Sequence, residues 1–366
     1  MRSTRRCSRS TRSCADRLIN LLNNAWPPAA TTLTSSPEAW DETVRDLGGH
    51  LLQSWRWGEF KSRYGWKAER VTLPDADAAA QVLFRGKGPV SVAYIPRGPA
   101  FGDGRESLGE LFAAIDEVCK RRRALLMIVE LERPLPDSLL LGEEGWTSGP
   151  EHIQPGRTVK IDLGDDDDML KVMHQKTRYS VRLAMRKGVE VAQFEGLNEE
   201  GLRTFYQLLS ETSTRNEFGV HQEEYYRDFL DVFGDSALLL IASVEGRPAA
   251  GLIAAAFGEE AIYMYGGSSA ENRAHGAAFL LQFEAMRWAR DKGLKRYDLW
   301  GIPVQDPEPP VEAPSTVPAT KGDDWRGLHR FKTGFGGKIV EYPATLERHY
   351  HRLATRIAQR YVRGIG

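Results

Sequence analysis

The segment Arg330-Phe331-Lys332-Thr333-Gly334-Phe335-Gly336-Gly337 places three glycines and two phenylalanines in eight residues. The glycines permit tight or left-handed backbone. Lys332, between apolar neighbours, is expected to be partly desolvated, which strengthens its field on a developing oxyanion. A hairpin turn with an exposed lysine is the plainer reading. A second segment, Arg273-Ala274-His275-Gly276-Ala277-Ala278, fits R-x-x-G-x-A between a strand and a long helix. Small residues there let backbone N–H groups approach a phosphate, and the helix N-terminus adds partial positive charge. Any helix that starts beside small residues looks the same. His174, Arg178, Arg182 and Arg186 recur every fourth position, flanked by Lys171, Lys176 and Lys187. On a helix they form one stripe without carboxylates, where like charges repel unless an anion sits on them. Phosphates would bind such a stripe in a salt-sensitive way, but a solvated face fits it too. Arg348, Arg352, Arg356, Arg360 and Arg363 form a similar stripe, suited equally to RNA or to an anionic membrane surface.

Other chemistries lack their residues. The chain has no G-x-S-x-G, no H-E-x-x-H and no G-x-x-x-x-G-K-[ST]. The run Asp165 to Asp168 lacks calcium-loop spacing. His50, His152, His221 and His275 are scattered, so no metal is expected. Cys7, Cys14 and Cys119 form no C-x-x-C pair. That argues against a disulfide framework or zinc site and fits a reducing cytoplasm. The 366 residues carry 49 Lys and Arg against 50 Asp and Glu, for a net charge of −1. A 41% hydrophobic content excludes a wholly disordered chain or a fibre. Near-zero charge excludes a uniformly basic nucleic-acid coat but not a local basic patch. No run of about 18 apolar residues occurs, so no membrane-spanning helix is expected.

The length suggests two domains, at about 150 residues each. Residues 1–36, rich in Arg, Ser and Thr, read as a disordered basic extension, or as the product of a start codon placed too far upstream. The first domain is expected over 37–157. It has helix over 38–65, strands at Gln81–Phe84 and Val90–Ile95 joined by a Gly-rich turn, a helix at Ser107–Arg123 and a strand at Leu125–Val129. The second is expected over 158–339. It begins with a strand at Thr158–Leu163 and one helix from an Asp165–Asp168 cap to about Arg186, closed by Gly188. Strands follow at Val189–Phe194, Ala237–Val244, Arg247–Phe257, Ala261–Gly266 and Tyr297–Trp300, with helices at Glu199–Ser213 and Ala277–Lys292. Pro307, Pro309, Pro310, Pro314 and Pro318 mark 303–324 as a loop. Ile339–Pro343 reads as a last strand and Leu346–Val362 as a terminal helix, with 340–366 packing on the first domain. The class is α/β (α+β), a duplicated unit.

Four stretches carry a resemblance to a known family. They are Gln53-Ser54-Trp55-Arg56-Trp57-Gly58-Glu59-Phe60-Lys61 with Gly65-Trp66; Pro96-Arg97-Gly98-Pro99; Tyr263-Met264-Tyr265-Gly266-Gly267-Ser268 with Leu280-Leu281 and Tyr297-Asp298-Leu299-Trp300-Gly301; and Phe331 to Gly337. In this order they resemble the FemABX peptidoglycan aminoacyltransferases. The resemblance implies two GNAT-like acyltransferase domains, with no sign of the long coiled-coil insertion of some members. It implies transfer of an amino acid from aminoacyl-tRNA, the co-substrate, to the side-chain amine of a peptidoglycan precursor, lipid II or its UDP-linked form. No further cofactor is implied, and the place is the cytoplasm, with peripheral membrane contact as one reading. Lys61 and Arg215 match residues that bind the acceptor's diphosphate. Tyr265 matches a site tyrosine, and Arg97 lines the acceptor cleft or forms a structural salt bridge. Phe331 and Lys332 match the pair near the 3′ end of the tRNA, Lys332 stabilising the oxyanion. Arg178, Arg182 and Arg186 become tRNA-binding candidates. Where members carry an aspartate before a proline, this chain has Glu132-Arg133-Pro134, with longer reach. Two competing readings are a CoA-dependent N-acyltransferase, resting on Arg273 to Ala278, and a non-catalytic binder of cell-wall precursor or RNA.

Overall fold

Apolar residues three and four apart make Ser107–Arg121 a helix that buries Leu108, Leu111, Phe112, Ile115 and Val118. In the computed structural model, which describes residues 36–73, 77–87, 89–102, 107–135, 146–149, 152–216, 219–271, 275–303 and 323–350, this helix is the crossover of a parallel strand pair. The first half contains helices α1 (Pro37–Asp46), α2 (Trp55–Ser62) and α3 (Ser107–Arg121). Its strands are β1 (Lys67–Thr72), β2 (Ala78–Lys87), β3 (Val90–Ile95), β4 (Ala100–Phe101), β5 (Ala124–Val129) and β6 (Trp146–Ser148). Ser36 and Ser54 cap α1 and α2 through their hydroxyls.

The second half runs β7 (Arg157–Asp162), α4 (Asp166–Val172), α5 (Gln175–Arg186), β8 (Glu190–Glu195), α6 (Glu199–Asn216), α7 (Glu223–Phe233), β9 (Ala237–Val244), β10 (Arg247–Phe257), β11 (Glu260–Ser268), α8 (Ala277–Asp291), β12 (Arg296–Asp298), α9 (Asp323–Thr333) and β13 (Lys338–Glu341). The chain then returns to the first half as β14 (Leu346–His349). The two sheets are ordered β1-β2-β3-β5-β14-β6, with β4 on β2, and β13-β7-β12-β11-β10-β9-β8. Each sheet has one parallel pair among the described strands, β3 with β5 and β11 with β12. Parallel neighbours need a crossover, which α3 and α8 supply. The two-sheet α/β class expected from the sequence is therefore observed. The longest described helix has 18 residues, so no long helical hairpin occurs among the described residues.

A shared core joins the halves. Leu52, Phe60, Tyr94 and Ile128 of the first half pack in one cluster with Phe205, Phe229, Leu239 and Ile253 of the second.

Some expectations are corrected. Leu346–His349 is a strand, antiparallel to β5 and β6, not the start of a helix. Its Arg348 turns to Asp116 at 3.1 Å, and the rest of that stripe lies outside the described residues. So do 1–35, Arg273 and 304–322 of the expected loop, whose last residues Asp323 and Asp324 begin α9. The single helix expected from Asp165 to Arg186 breaks at Met173-His174, because the His174 N–H donates to the Gly334 carbonyl at 2.9 Å. The Arg178 guanidinium then donates to the carbonyls of Leu170, Lys171 and Met173 at 3.2–3.3 Å. These are orphan acceptors at the end of α4. The helix α7 and the strands β1, β4 and β6 have no counterpart in the sequence reading.

Candidate active site

β11 and β12 pair only from Glu260↔Arg296 to Ile262↔Asp298. Beyond that they part, and a cleft of about 620 Å³ opens between them. One wall is the end of β11, Tyr263 to Ser268; the other is the start of α8 with Phe331 and Lys332 of α9. A bulge between Ile253 and Ala254 interrupts the ladder opposite Tyr263 and Tyr265. Tyr263 packs on the second-half core, and Tyr265 joins the cluster between the halves. Gly276 begins α8 with a φ of +75°, and a Cβ there would stand 2.5 Å from the Ser180 carbonyl oxygen. Gly334 is equally confined: a Cβ would lie 2.3 Å from Thr177 Oγ1. These two glycines set α5 directly against both elements of that wall.

Lys332 is 5% exposed. Its Nζ donates to the Gly301 carbonyl at 2.8 Å and lies 5.3 Å from the Tyr263 ring centre. Burial pushes its pKa down to about 7, against the pull of Asp298. Phe331 meets Phe279 and Phe335 edge-on, at 4.9 and 5.4 Å between ring centres. The structure thus sets Lys332 in a buried helix end facing a cleft, not in an exposed hairpin.

Arg215 and Tyr265 line the same cleft. Arg215 donates to the Ser268 carbonyl at 3.1 Å and pairs with Glu211 at 3.7 Å. Asp228 pairs with Arg63 at 2.6 Å. Tyr265 is hydrogen-bonded to Tyr225, and burial raises both hydroxyls above the ordinary tyrosine range. Lys61 does not line the cleft. It stands behind the Tyr225 ring, with Nζ 5.6 Å from the ring centre, and burial with nearby Arg85 lowers its pKa to about 8.

Arg97 is corrected. It is 1% exposed, donates to the Pro155 carbonyl, and stacks 3.4 Å from the Tyr342 ring centre, behind the cleft residue Trp300. The stripe is corrected too: Arg178 faces inward, while Lys176, Tyr179, Arg182 and Arg186 are exposed. Arg186 lies 5.8 Å over Tyr179. Glu132 is outside the cleft, bound to Lys160 at 3.1 Å, with its pKa raised to about 6 by burial.

Three residues escaped the sequence reading. Tyr263 lies under Lys332, and His221 stacks on Tyr225 at 3.8 Å beside Lys61. Trp300 lines the cleft with a left-handed φ of +59°. Tyr263 and Trp300 do fall in the quoted third stretch, but only the break in strand alternation separates Tyr263 from Tyr265.

The fold has known relatives. FemX superposes with a TM-score of 0.75 at 21% identity, over 88% of this chain and 98% of that one. L-PGS from Bacillus licheniformis gives 0.52 at 16%, over 89% and 95%. These likenesses define the class of fold: two sheets, each with a parallel pair, on a shared core. In sequence, a FemAB family model matches residues 143–248 and 244–361. The chain belongs to the FemAB family. It is also 30% identical over 214 residues to Lipid II:glycine glycyltransferase of Staphylococcus aureus, covering 53% of this chain and 50% of that protein. It therefore spans about half the length of the curated relatives it matches.

Proposed function

We propose that this protein transfers an aminoacyl group from aminoacyl-tRNA to the side-chain amine of a peptidoglycan precursor. The observation that carries the reading is Lys332, buried beside Phe331 in the wall of a cleft that also holds Arg215 and Tyr265. The names of the relatives, a lipid II glycyltransferase and FemX, agree with it.

In this reading the acceptor amine attacks the ester carbonyl. The oxyanion of the tetrahedral intermediate accepts from the Lys332 ammonium. The carbon–oxygen ester bond then breaks, and the ribose hydroxyl leaves with the proton that the amine gives up. An ester is already activated, so no strong base is required, and Glu132 has no part in the step. The acceptor's phosphates lie toward Lys61 and Arg215. Arg can hold phosphate bidentately, while Lys acts as a point charge. The protein works in the cytoplasm; among the described residues no helix is long and apolar enough to cross a membrane.

The tRNA lies on the exposed face of α5, which touches the cleft wall through Gly276 and Gly334. Lys176→Ala, Arg182→Ala and Arg186→Ala should each weaken RNA binding and lower the slope of log K against log salt by roughly 0.7–0.9. Arg178→Ala should instead lower the melting temperature and leave that slope unchanged. Filter binding across salt concentrations reads the first effect and thermal unfolding the second.

One observation favours a second reading, CoA-dependent acylation: the uncapped start of α8 at Gly276 opens on the same cleft. The deciding experiment incubates the protein with UDP-linked muramyl pentapeptide, or lipid II, and a mixture of charged tRNAs. A parallel reaction holds acetyl-CoA alone. A tRNA-dependent mass gain of one amino acid supports transfer. An acetyl-sized gain supports the second reading. No gain on either acceptor leaves a binding protein.

A further inference from the structure

Lys332 owes its position to a turn on another element. Asp298, the last residue of β12, is fully buried. Its Oδ1 accepts from the Trp300 N–H at 2.6 Å and from the Thr158 hydroxyl. That acceptance holds Trp300 at a φ of +59°, in the left-handed region that bulky residues avoid. The stacked ring of His50, 5.5 Å away, and Arg97, also 5.5 Å from the indole, keep the side chain in place from the first half. His50 is neutral: its Nδ1 accepts from Leu52 N, and burial with Arg97 and Lys160 drives its pKa down. With Trp300 so turned, the next carbonyl, that of Gly301, receives the Lys332 ammonium at 2.8 Å. The turn is pinned at both ends to β7, by Leu299 N to Val159 O at 2.9 Å and Ile302 N to Arg157 O at 3.0 Å.

We propose that Asp298 is a positioning residue for Lys332, fixing the turn at 298–301 that anchors the ammonium and supplying the negative charge it faces. The inference rests on the reading of Lys332 as the cation of the transfer reaction. The other groups around Lys332 do not take this role. The β11 side offers the uncharged Tyr263 ring. On β7, Lys160 stands behind Asp298 at 3.9 Å and is engaged with Glu132 and Glu260. On α9 itself, Arg330 and His329 add only positive or neutral groups. Asp298 Oδ2 accepts no hydrogen bond and has Lys160 Nζ only at 3.9 Å, so its charge is buried and loosely compensated. Burial lifts the Asp298 carboxyl, and Lys160, Thr158 and the Trp300 N–H oppose the rise.

Asp298→Asn keeps an oxygen acceptor for Trp300 and Thr158 and removes the charge. The test is trace acetylation of the whole folded protein with acetic anhydride across pH, reading the Lys332 peptide by mass. In the parent the labelling midpoint should lie near 7. In Asp298→Asn it should fall by roughly one pH unit, because a nearby carboxylate no longer favours the ammonium. The rate of transfer should lose its alkaline half over the same interval, with KM for the acceptor unchanged. A labelling midpoint that stays where it was overturns the inference. If the midpoint moves but the parent transfers no amino acid, the functional reading fails and the positioning role stands. Should Asp298→Asn not fold, Thr158→Val removes one donor and leaves the carboxylate. It should move the midpoint the same way by less, and an unmoved midpoint there also overturns the inference.

Discussion

Lys332→Ala is expected to lower the rate of aminoacyl transfer by about 10²–10³ while leaving acceptor binding nearly intact, the loss typical of one oxyanion donor. The ammonium is the only charged donor that α9 turns into the cleft wall among the described residues, and it is fixed rather than mobile. The Gly301 carbonyl accepts a hydrogen bond from it at 2.8 Å, and the side chain lines the cleft. Preorganisation of this kind costs nothing at the moment charge develops, which is why the effect should fall on kcat. Lys332→Arg should not restore the rate. The planar guanidinium cannot place a point charge on the Gly301 contact inside a helix end packed against Phe335 and Tyr263.

The pH dependence follows with a definite sign. The ammonium is the working form, and burial sets its pKa at about 7. The Lys332 contribution is therefore full on the acid side of that value and lost on the alkaline side. The acceptor amine needs its free form, which grows as pH rises. The product is a bell in the parent and a single rising limb in Lys332→Ala. Product mass followed over time between about pH 6 and 9 separates the two. A variant that keeps the bell and the parental rate would move oxyanion stabilisation to another group.

The parts of this site that were legible are those whose residue type is itself unusual. Three glycines around a lysine between phenylalanines mark 330–337, and the structure sets that lysine in the cleft. Periodicity gave α3 and the buried strands β9 and β10 nearly to the residue. What could not be read is what tertiary contacts decide. The four-residue spacing of Arg178, Arg182 and Arg186 is the same whether or not a helix breaks at His174. Only the Gly334 carbonyl, more than 150 residues away, takes the His174 N–H and turns Arg178 inward. Leu346–His349 has an amphipathic pattern that suits a helix, yet β5 and β6 offer two unpaired edges and recruit it as a strand. Arg97 sits in a motif beside site residues, but a φ of +49° aims its side chain at Pro155 and Tyr342. Local sequence sets residue types; the partner across the fold sets their direction.

That same dependence on distant partners makes Lys160 a residue whose loss should strongly destabilise the fold. Lys160→Met is expected to cost about 3–5 kcal/mol of stability, the range for breaking a buried ion pair on one side. Its ammonium is 3.1 Å from Glu132, 3.0 Å from Glu260 and 3.9 Å from Asp298. Glu132 belongs to the first half and the other two to the second, so a single charge holds carboxylates from both. Methionine fills the space of the stem but leaves three acids facing one another, with Arg97 beside Glu132 and Arg296 beside Glu260 as partial relief. The acids then titrate upward, and this fixes the pH sign. A carboxyl whose folded pKa exceeds its unfolded value contributes stability that is present at low pH and lost as pH rises through the folded pKa. Glu132 already behaves so in the parent, with a value of about 6; without Lys160 its pKa climbs further. The deficit of Lys160→Met should therefore be smaller near pH 5 than near pH 7. Urea unfolding at the two pH values measures it. Adding Glu132→Gln should return part of the loss at neutral pH, because it removes one of the stranded charges. A deficit below about 1 kcal/mol, or one equal at both pH values, would mean that water already screens the seam and that the apolar cluster around Phe60 and Phe229 alone holds the halves together.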